Sequence, residues 1–324
     1  MGEPSEDDLI ARYFAPLAGE GGLALADDAA LLAQRPDFDL VLTCDALVAG
    51  VHFFPEDPPE AIAAKALRVN LSDLAAKGAE PAGFLLALAL PPGPRADWLA
   101  GFAEGLRQDI AAYGFPLLGG DTVSTPGPLM VSVTALGHVP AGRMVPRTGA
   151  RAGDAIYVSG TIGDAALGLQ IRLGALQAER DGDALLERYL RPQPRMAVAP
   201  ALLAHAHAAM DVSDGLVGDL RKMMRVSGVG ARIEVSRVPL SEAAGRVVGR
   251  HPSALVQALT GGDDYEILAT VPASQTAAFE SAATAAGVAV TYIGSVVSGG
   301  TVEFVGHGGV ALDFPRGSYS HFQL

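Results

Sequence analysis

The sequence predicts a two-domain α/β protein, on three observations. Its 324 residues exceed the roughly 100–200 of a single domain, strand-like and helix-like segments alternate through both halves, and composition shifts near residue 148. A docking helix is expected over DDLIARYFAPLA, where Leu9, Ile10, Tyr13, Phe14 and Leu17 recur at helical spacing before the glycines from Gly19 to Gly22. Two apolar runs follow, LALADDAALL and FDLVLTCDALVAG, the second having the aliphatic, β-branched content of a buried strand that reaches a polar end at Asp45. Pro58 and Pro59 open a helix carried by EAIAAKALRVNLSDLAAKGA to a glycine stop at Gly78, with Asn70 and Asp73 on one face.

FLLALALP then reads as a strand, DWLAGFAEGLRQDIAAYG as an amphipathic helix, and PLLGGDTVSTPGPLMVSVTALGHV as two strands around a polar loop. The turn-rich VPRTGARAGDAIYVSG opens the second half, giving expected domains of 1–148 and 149–324. That half predicts helices after Gly163 and Asp214, an alanine-rich helix carrying His205 and His207, a strand at YEILATVP, a long helix through Ala286, and strands at VTYIG and VEFVG.

Composition narrows function. Lys plus Arg number 23 against 36 Asp plus Glu, a net charge of -13, which disfavours nucleic acid and anionic membrane as partners. Hydrophobic residues at 49% supply a large core, while 6% aromatics and 39 glycines make it chiefly aliphatic with many tight turns. The single cysteine, Cys44, excludes an intrachain disulfide framework and a multi-cysteine metal site. An acidic N-terminus and the lack of an apolar run of about 20 residues predict a soluble cytoplasmic protein.

Five acidic neighbourhoods carry the chemical signal: Asp27-Asp28, Thr43-Cys44-Asp45, Asn70 to Asp73, Gly119-Gly120-Asp121-Thr122, and Asp211-Val212-Ser213-Asp214-Gly215. A carboxylate beside glycine and a hydroxyl suits a hard cation, magnesium above all, and ions held between converging carboxylates recruit nucleotide phosphates. Plainer roles stand beside that one. Asp28 and Asp45 also fit turn caps, Asp73 an i,i+4 pair with Lys77, and Asp214 a helix N-cap. Capping accounts for less at Gly120-Asp121 and at Asp211 to Asp214, which add a glycine or a second acid. The chain has no Gly-Lys dipeptide for a P-loop, no G-x-G-x-x-G, no H-E-x-x-H and no G-x-S-x-G. Cys44 reads as a small buried strand residue beside Asp45 in preference to a nucleophile, and His52 as a packing or substrate-contacting group.

In order and content these motifs resemble the thiamine-monophosphate kinase family, within the aminoimidazole ribonucleotide synthetase-like ATP-binding superfamily. The resemblance spans nearly the whole chain. It rests on ADDAALL, TCDALVAGVHF, KALRVNLSDLAAKGAEP, LLGGDTVS, RTGARAGDAIYVSGTIGDAA, LRPQPR, DVSDGLVGDL, GGDDYEIL and the terminal YSHF. It implies a mixed α/β amino-terminal domain, an α/β carboxy-terminal domain, and a homodimer whose amino-terminal sheets join in a barrel-like core. It implies ATP-dependent phosphorylation of thiamine phosphate to thiamine diphosphate with several magnesium ions. Asp28, Thr43, Cys44 through its backbone, Asp45, Asp73, Asp121, Asp211 and Asp214 match metal-binding positions. Gly120, Asp121, Arg147 and Ser213 match nucleotide contacts, and His52, Glu266 and Tyr319 match substrate contacts.

For in-line transfer the expected catalytic group is Asp45, Asp73, Asp121, Arg147 and Asp214, which neutralise and align phosphates without a covalent phosphoenzyme. Three segments depart from the family pattern: Ala49 and Asp263 stand where acidic residues and Glu, respectively, are common, and Leu25-Ala26 replaces a glycine-rich approach to Asp27 and Asp28. A related ATP-using synthetase is the alternative within the superfamily. The first lysine, Lys65, and the placement of the one cysteine in TCD count against a selenophosphate enzyme. A non-catalytic nucleotide-binding scaffold is the alternative outside it, disfavoured by retention of every acidic motif.

Overall fold

The computed structural model describes residues 5–177, 181–315 and 317–318. It divides into two compact units, the first formed by 5–74 and 79–142, the second by 75–78 together with the described residues from 143 onward.

The first unit opens on α1 (Glu6–Leu9), which passes into a π-turn over Ile10–Phe14 and a 3-10 turn over Ala15–Leu17. The docking helix expected there is thus helical through Leu17 but changes from α to π to 3-10 hydrogen bonding along its length. Pro16 has no N–H to give the ladder, and Leu23, Ala24 and Leu25 follow with φ of 50°, 57° and 55° in the left-handed region. Next come β1 (Phe38–Val48), α2 (Pro59–Ala76), β2 (Glu80–Leu90), α3 (Ala96–Tyr113), β3 (Leu117–Ser124) and β4 (Met130–Pro140).

The sheet order is β1-β4-β2-β3, with β2 and β3 parallel and the other pairs antiparallel. In this chain the sheet is open, so a barrel-like closure is not a feature of the single unit. Ile62, Leu67, Leu71 and Leu74 of α2 and Leu99, Phe102 and Leu106 of α3 are fully buried, each contributing about 1.5–3 kcal/mol of apolar burial. Arg68 on α2 grips Asp109 on α3 with Nε at 2.8 Å and Nη2 at 2.7 Å, which fixes the two helices to each other.

In chain order the second unit holds β5 (Ala155–Ser159), α4 (Asp164–Arg172), α5 (Gly182–Leu190), α6 (Ala199–His205), β6 (Ala208–Asp211), α7 (Leu216–Ser227) and β7 (Gly230–Glu234). It continues with α8 (Glu242–Arg250), α9 (Ala254–Thr260), β8 (Ile267–Val271), α10 (Thr276–Ala285), β9 (Val290–Val297), β10 (Val302–Val305) and β11 (Ala311–Leu312). The strands form one sheet in the order β11-β10-β7-β9-β5-β8-β6.

Alternation along β5 sends Ile156 and Val158 to a core with Leu216, Leu220 and Met224 of α7, and Tyr157 to a core with Leu202 of α6 and Phe279 of α10. A third cluster joins α4, α5, α8 and α9 through Leu167, Leu185, Val247 and Ala258. His207 lies beyond the end of α6 rather than on it, and its Nδ1 meets Asp154 at 3.0 Å. Among the described residues no helix is long and apolar enough to cross a membrane.

Candidate active site

In the first unit, period-2 alternation turns Thr43 and Asp45 of β1 toward α2, while the i,i+3 spacing of Asn70 and Asp73 puts both on the facing side of that helix. Thr43 Oγ1 donates to Asp73 Oδ2 at 2.5 Å, and the Asp45 N–H donates to Asn70 Oδ1 at 3.1 Å. Asn70 is fully buried and donates back to the Ala66 carbonyl at 3.0 Å, which locks its orientation. Asp73 thus meets the Thr43 hydroxyl, and Lys77 Nζ reaches the Ala209 carbonyl at 2.8 Å. Just past β1, the Val48 N–H donates to His52 Nδ1 at 3.0 Å, so the neutral ring carries its proton on Nε2. Lys65, only 2% exposed, donates to the His52 carbonyl at 2.9 Å and pins the same turn.

The opposite face of this sheet presents a second group. Register places Asp121 beside Ala87, Ala87 beside Ser132 and Ser132 beside Ala46, all on the face that Asp45 does not share. Asp27, Asp28, Gly119, Gly120, Asp121 and Ser132 contribute to the lining of a cleft of about 770 Å³. Gly120 is required by close approach, since a Cβ there would lie 1.8 Å from the Leu86 carbonyl oxygen. Cys44 is exposed on this face and not buried as its strand sequence predicts, because alternation turns it away from α2; its sulfur has Thr134 Oγ1 at 3.4 Å and Ser132 Oγ at 3.6 Å, leaving only its backbone beside Thr43 and Asp45. β1 and β3 are the outer strands, about 14 Å apart at the usual spacing, so one unit does not bring Asp45 to Asp121.

In the second unit β6 ends at Asp211, which is buried, and the chain turns through Ser213 and Asp214 into α7. Gly215 at φ +120° caps that helix, so Asp214 stands one residue ahead of the N-cap. The capping carboxylate is Asp219, fully buried, whose Oδ2 accepts the N–H groups of Asp214 at 2.9 Å and Gly215 at 3.2 Å. Lys222 Nζ bonds to Asp214 Oδ2 and to Asp219 Oδ1, the latter at 2.9 Å. Burial raises the Asp219 carboxyl above its ordinary pKa, against the pull of Lys222. For Lys222 burial acts downward, but its bonds to Asp214 and Asp219 outweigh it and raise the ammonium pKa. Arg147 is exposed, one residue after Pro146, whose carbonyl accepts the Ala209 N–H of β6 at 2.9 Å.

Behind this turn lies GGDDYEIL. Val212 N–H donates to the Glu266 carbonyl at 2.8 Å, Asp263 N–H to Ser213 at 2.9 Å, and Tyr265 N–H to Val212 at 2.8 Å. Asp263 and Tyr265 hold φ of 72° and 50°, a local strain fixed by those bonds. Asp263 is half-buried, whereas Glu266 is 0% exposed. The Glu266 carboxylate accepts from Ser159 Oγ at 2.6 Å, from Arg188 at 2.8 Å, and from Arg195 at 2.5 and 2.7 Å. Asp264 accepts the Gly163 N–H at 2.8 and 2.9 Å, and burial pushes its carboxyl well above the ordinary range.

Sequence reasoning assigned no role to Lys222, Asp219, Arg188 or Arg195. The i,i+3 spacing of Asp219 and Lys222 is a visible signal for the first two, and LRPQPR for Arg195. Tyr319 lies outside the described residues. Among the described residues no three His, Cys, Asp or Glu side chains gather into a metal cage.

The oxygens instead fall into three partial sets: Thr43, Asp45 and Asp73; Asp27, Asp28 and Asp121; Asp211 and Asp214. All-oxygen, incomplete sets suit magnesium, which keeps waters and completes its octahedron with substrate phosphates.

The AIR synthase related protein N-terminal domain family matches residues 26–139, and the corresponding C-terminal domain family residues 151–307. Thiamine-monophosphate kinase of Caulobacter vibrioides is 47% identical over 301 residues, covering 91% of this chain and 85% of that protein. A crystal structure of thiamine-monophosphate kinase from Stenotrophomonas maltophilia K279a aligns at TM-score 0.81 and 42% identity, over 89% of this chain and 91% of that one. The structure of AaThiL complexed with AMPPCP and TMP aligns at TM-score 0.79 and 32% identity, over 98% of this chain and 97% of that one.

Proposed function

The chain belongs to the thiamine-monophosphate kinase family, and we propose that it transfers the γ-phosphoryl group of ATP to thiamine phosphate, giving thiamine diphosphate and ADP. The observation that carries the chemistry is the exclusively oxygen-bearing, acidic character of the three partial sets, which are built to meet polyphosphates through hard cations. A phosphate oxygen of thiamine phosphate supplies the electron pair for the new O–P bond, and the bond from the γ-phosphorus to the ADP oxygen breaks with its pair. The nucleophile is anionic near neutral pH, so no strong base is needed.

Magnesium, when bound, supplies charge neutralisation and alignment at the phosphates. Thr43 directs its proton to Asp73, which leaves the lone pairs of the Thr43 oxygen outside that bond. Gly120 lets β3 lie close against Leu86 of β2 beside Asp121, Ser213 presents its hydroxyl at the turn into α7, and the Arg147 guanidinium stabilises charge on the transferred group. His52 meets substrate through Nε2–H. Glu266 serves the substrate as a positioning group, since its enclosed carboxylate is committed to Arg188 and Arg195. Asp263, half-exposed in the same turn, is the carboxylate able to face the thiamine cation.

Homodimerisation, cytoplasmic residence and the domain division at 148 belong to the same proposal. Leu40, Leu42, Leu85 and Val123 are exposed apolar residues on the sheet face that Asp121 shares, a surface suited to a second copy. Purified protein given magnesium, ATP and thiamine phosphate is expected to form thiamine diphosphate and ADP in equal amounts. No thiamine diphosphate at saturating magnesium would overturn the assignment.

A further inference from the structure

The Asp214 carboxylate already has a cation. Lys222 reaches it from the next turns of α7, and the ammonium is not a loose surface group: its second partner is Asp219 Oδ1 at 2.9 Å, and Asp219 is fully buried. Asp219 is itself immovable, because its other oxygen holds the Asp214 and Gly215 N–H groups that start the helix. Lys222 and Asp214 side chains remain about a third exposed, at 30% and 38%, so an ion or phosphate from solvent can reach the pair.

We propose that Lys222 is the resident counter-cation of Asp214: it occupies that carboxylate until a divalent ion displaces it, and so makes Asp214 a weaker acceptor than Asp73. This rests on Asp214 being a metal ligand. Asp73 offers the contrast within the same chain, since it meets a neutral hydroxyl from Thr43. A divalent ion at Asp214 must replace a charge-assisted bond, whereas at Asp73 it gains one. Asp219 retains the ammonium nearby after displacement, which leaves Lys222 a positioning residue for phosphate arriving with the ion.

The test is Mn²⁺ binding to the intact protein without nucleotide, read from the free-ion electron paramagnetic resonance signal. Lys222→Met should tighten Mn²⁺ binding about tenfold, the equivalent of one net charge-assisted hydrogen bond, and Lys222→Arg should bind as the parent does. Because Lys222→Met leaves a buried Asp219 charge, Lys222→Met/Asp219→Asn is measured alongside it. The Asn oxygen still accepts the helix N–H groups, and the same tightening is expected. Equal or weaker Mn²⁺ binding in both variants would overturn the role of Lys222 while leaving the metal role of Asp214 standing. Asp214→Asn placed on the Lys222→Met/Asp219→Asn background should abolish the gain. A tightened affinity that survives this change would overturn Asp214 as the ligand.

Discussion

Asp73 in the first unit and Glu266 in the second are both carboxylates in motifs that sequence alone marks as functional, yet their surroundings are opposite. Asp73 is partly open and meets a hydroxyl from Thr43, so its charge remains available. Glu266 is sealed: its carboxylate is taken by Arg188, Arg195 and Ser159, while its backbone carbonyl accepts the Val212 N–H where the turn to Asp214 begins. The identity of the partner, neutral donor or fixed cation, decides whether a carboxylate does chemistry or holds the frame that does. Asp214 lies between these extremes, with one displaceable cation.

The sharpest break between the two comes from removing one partner. Arg195→Met should destabilise the protein by about 2–3 kcal/mol in denaturant unfolding, because the buried Glu266 carboxylate loses its bidentate partner and keeps only Arg188 and Ser159. Asp73→Asn should leave stability within about 1 kcal/mol, yet lower kcat about 100-fold, since a half-exposed group is lost from the set proposed to meet phosphate. Comparable unfolding losses in both variants would erase the distinction.

Asp264 supplies a smaller, pH-dependent contrast. Its folded pKa is raised by burial, so the native state holds a proton that the unfolded chain releases above the ordinary carboxyl pKa of 3.8. That contribution is complete below this value and is lost as pH rises toward the folded pKa. Asp264→Asn, whose amide oxygen can still accept from Gly163, should therefore gain stability relative to the parent as pH increases. Parallel unfolding curves for the two proteins from pH 5 to pH 8 would contradict it.

Much of this was readable from local spacing. The TCD and NLSD motifs announced themselves because strand alternation and the i,i+3 helix repeat are local rules, and they do bring Thr43 and Asp73 together. The separation of Asp45 from Asp121 was not readable. It depends on a strand order of β1-β4-β2-β3 and a register shift between Phe84 and Leu85, both set by contacts distant in sequence. The N-terminal segment has helical apolar spacing and stays helical through Leu17, but its hydrogen bonding passes from α to π to 3-10, with Pro16, which has no N–H, in the tightened last turn. Glu266 shows the same limit at a site. GGDDYEIL reveals a cluster of acids, but only packing shows which of them Arg188 and Arg195 enclose.

The most direct measurement of the central claim follows the terminal phosphate of [γ-³²P]ATP in a reaction with magnesium, thiamine phosphate and the purified protein. The label should pass into thiamine diphosphate one for one with ADP formed, and none should remain on the protein. Label released only as orthophosphate, with no labelled thiamine diphosphate, would contradict it.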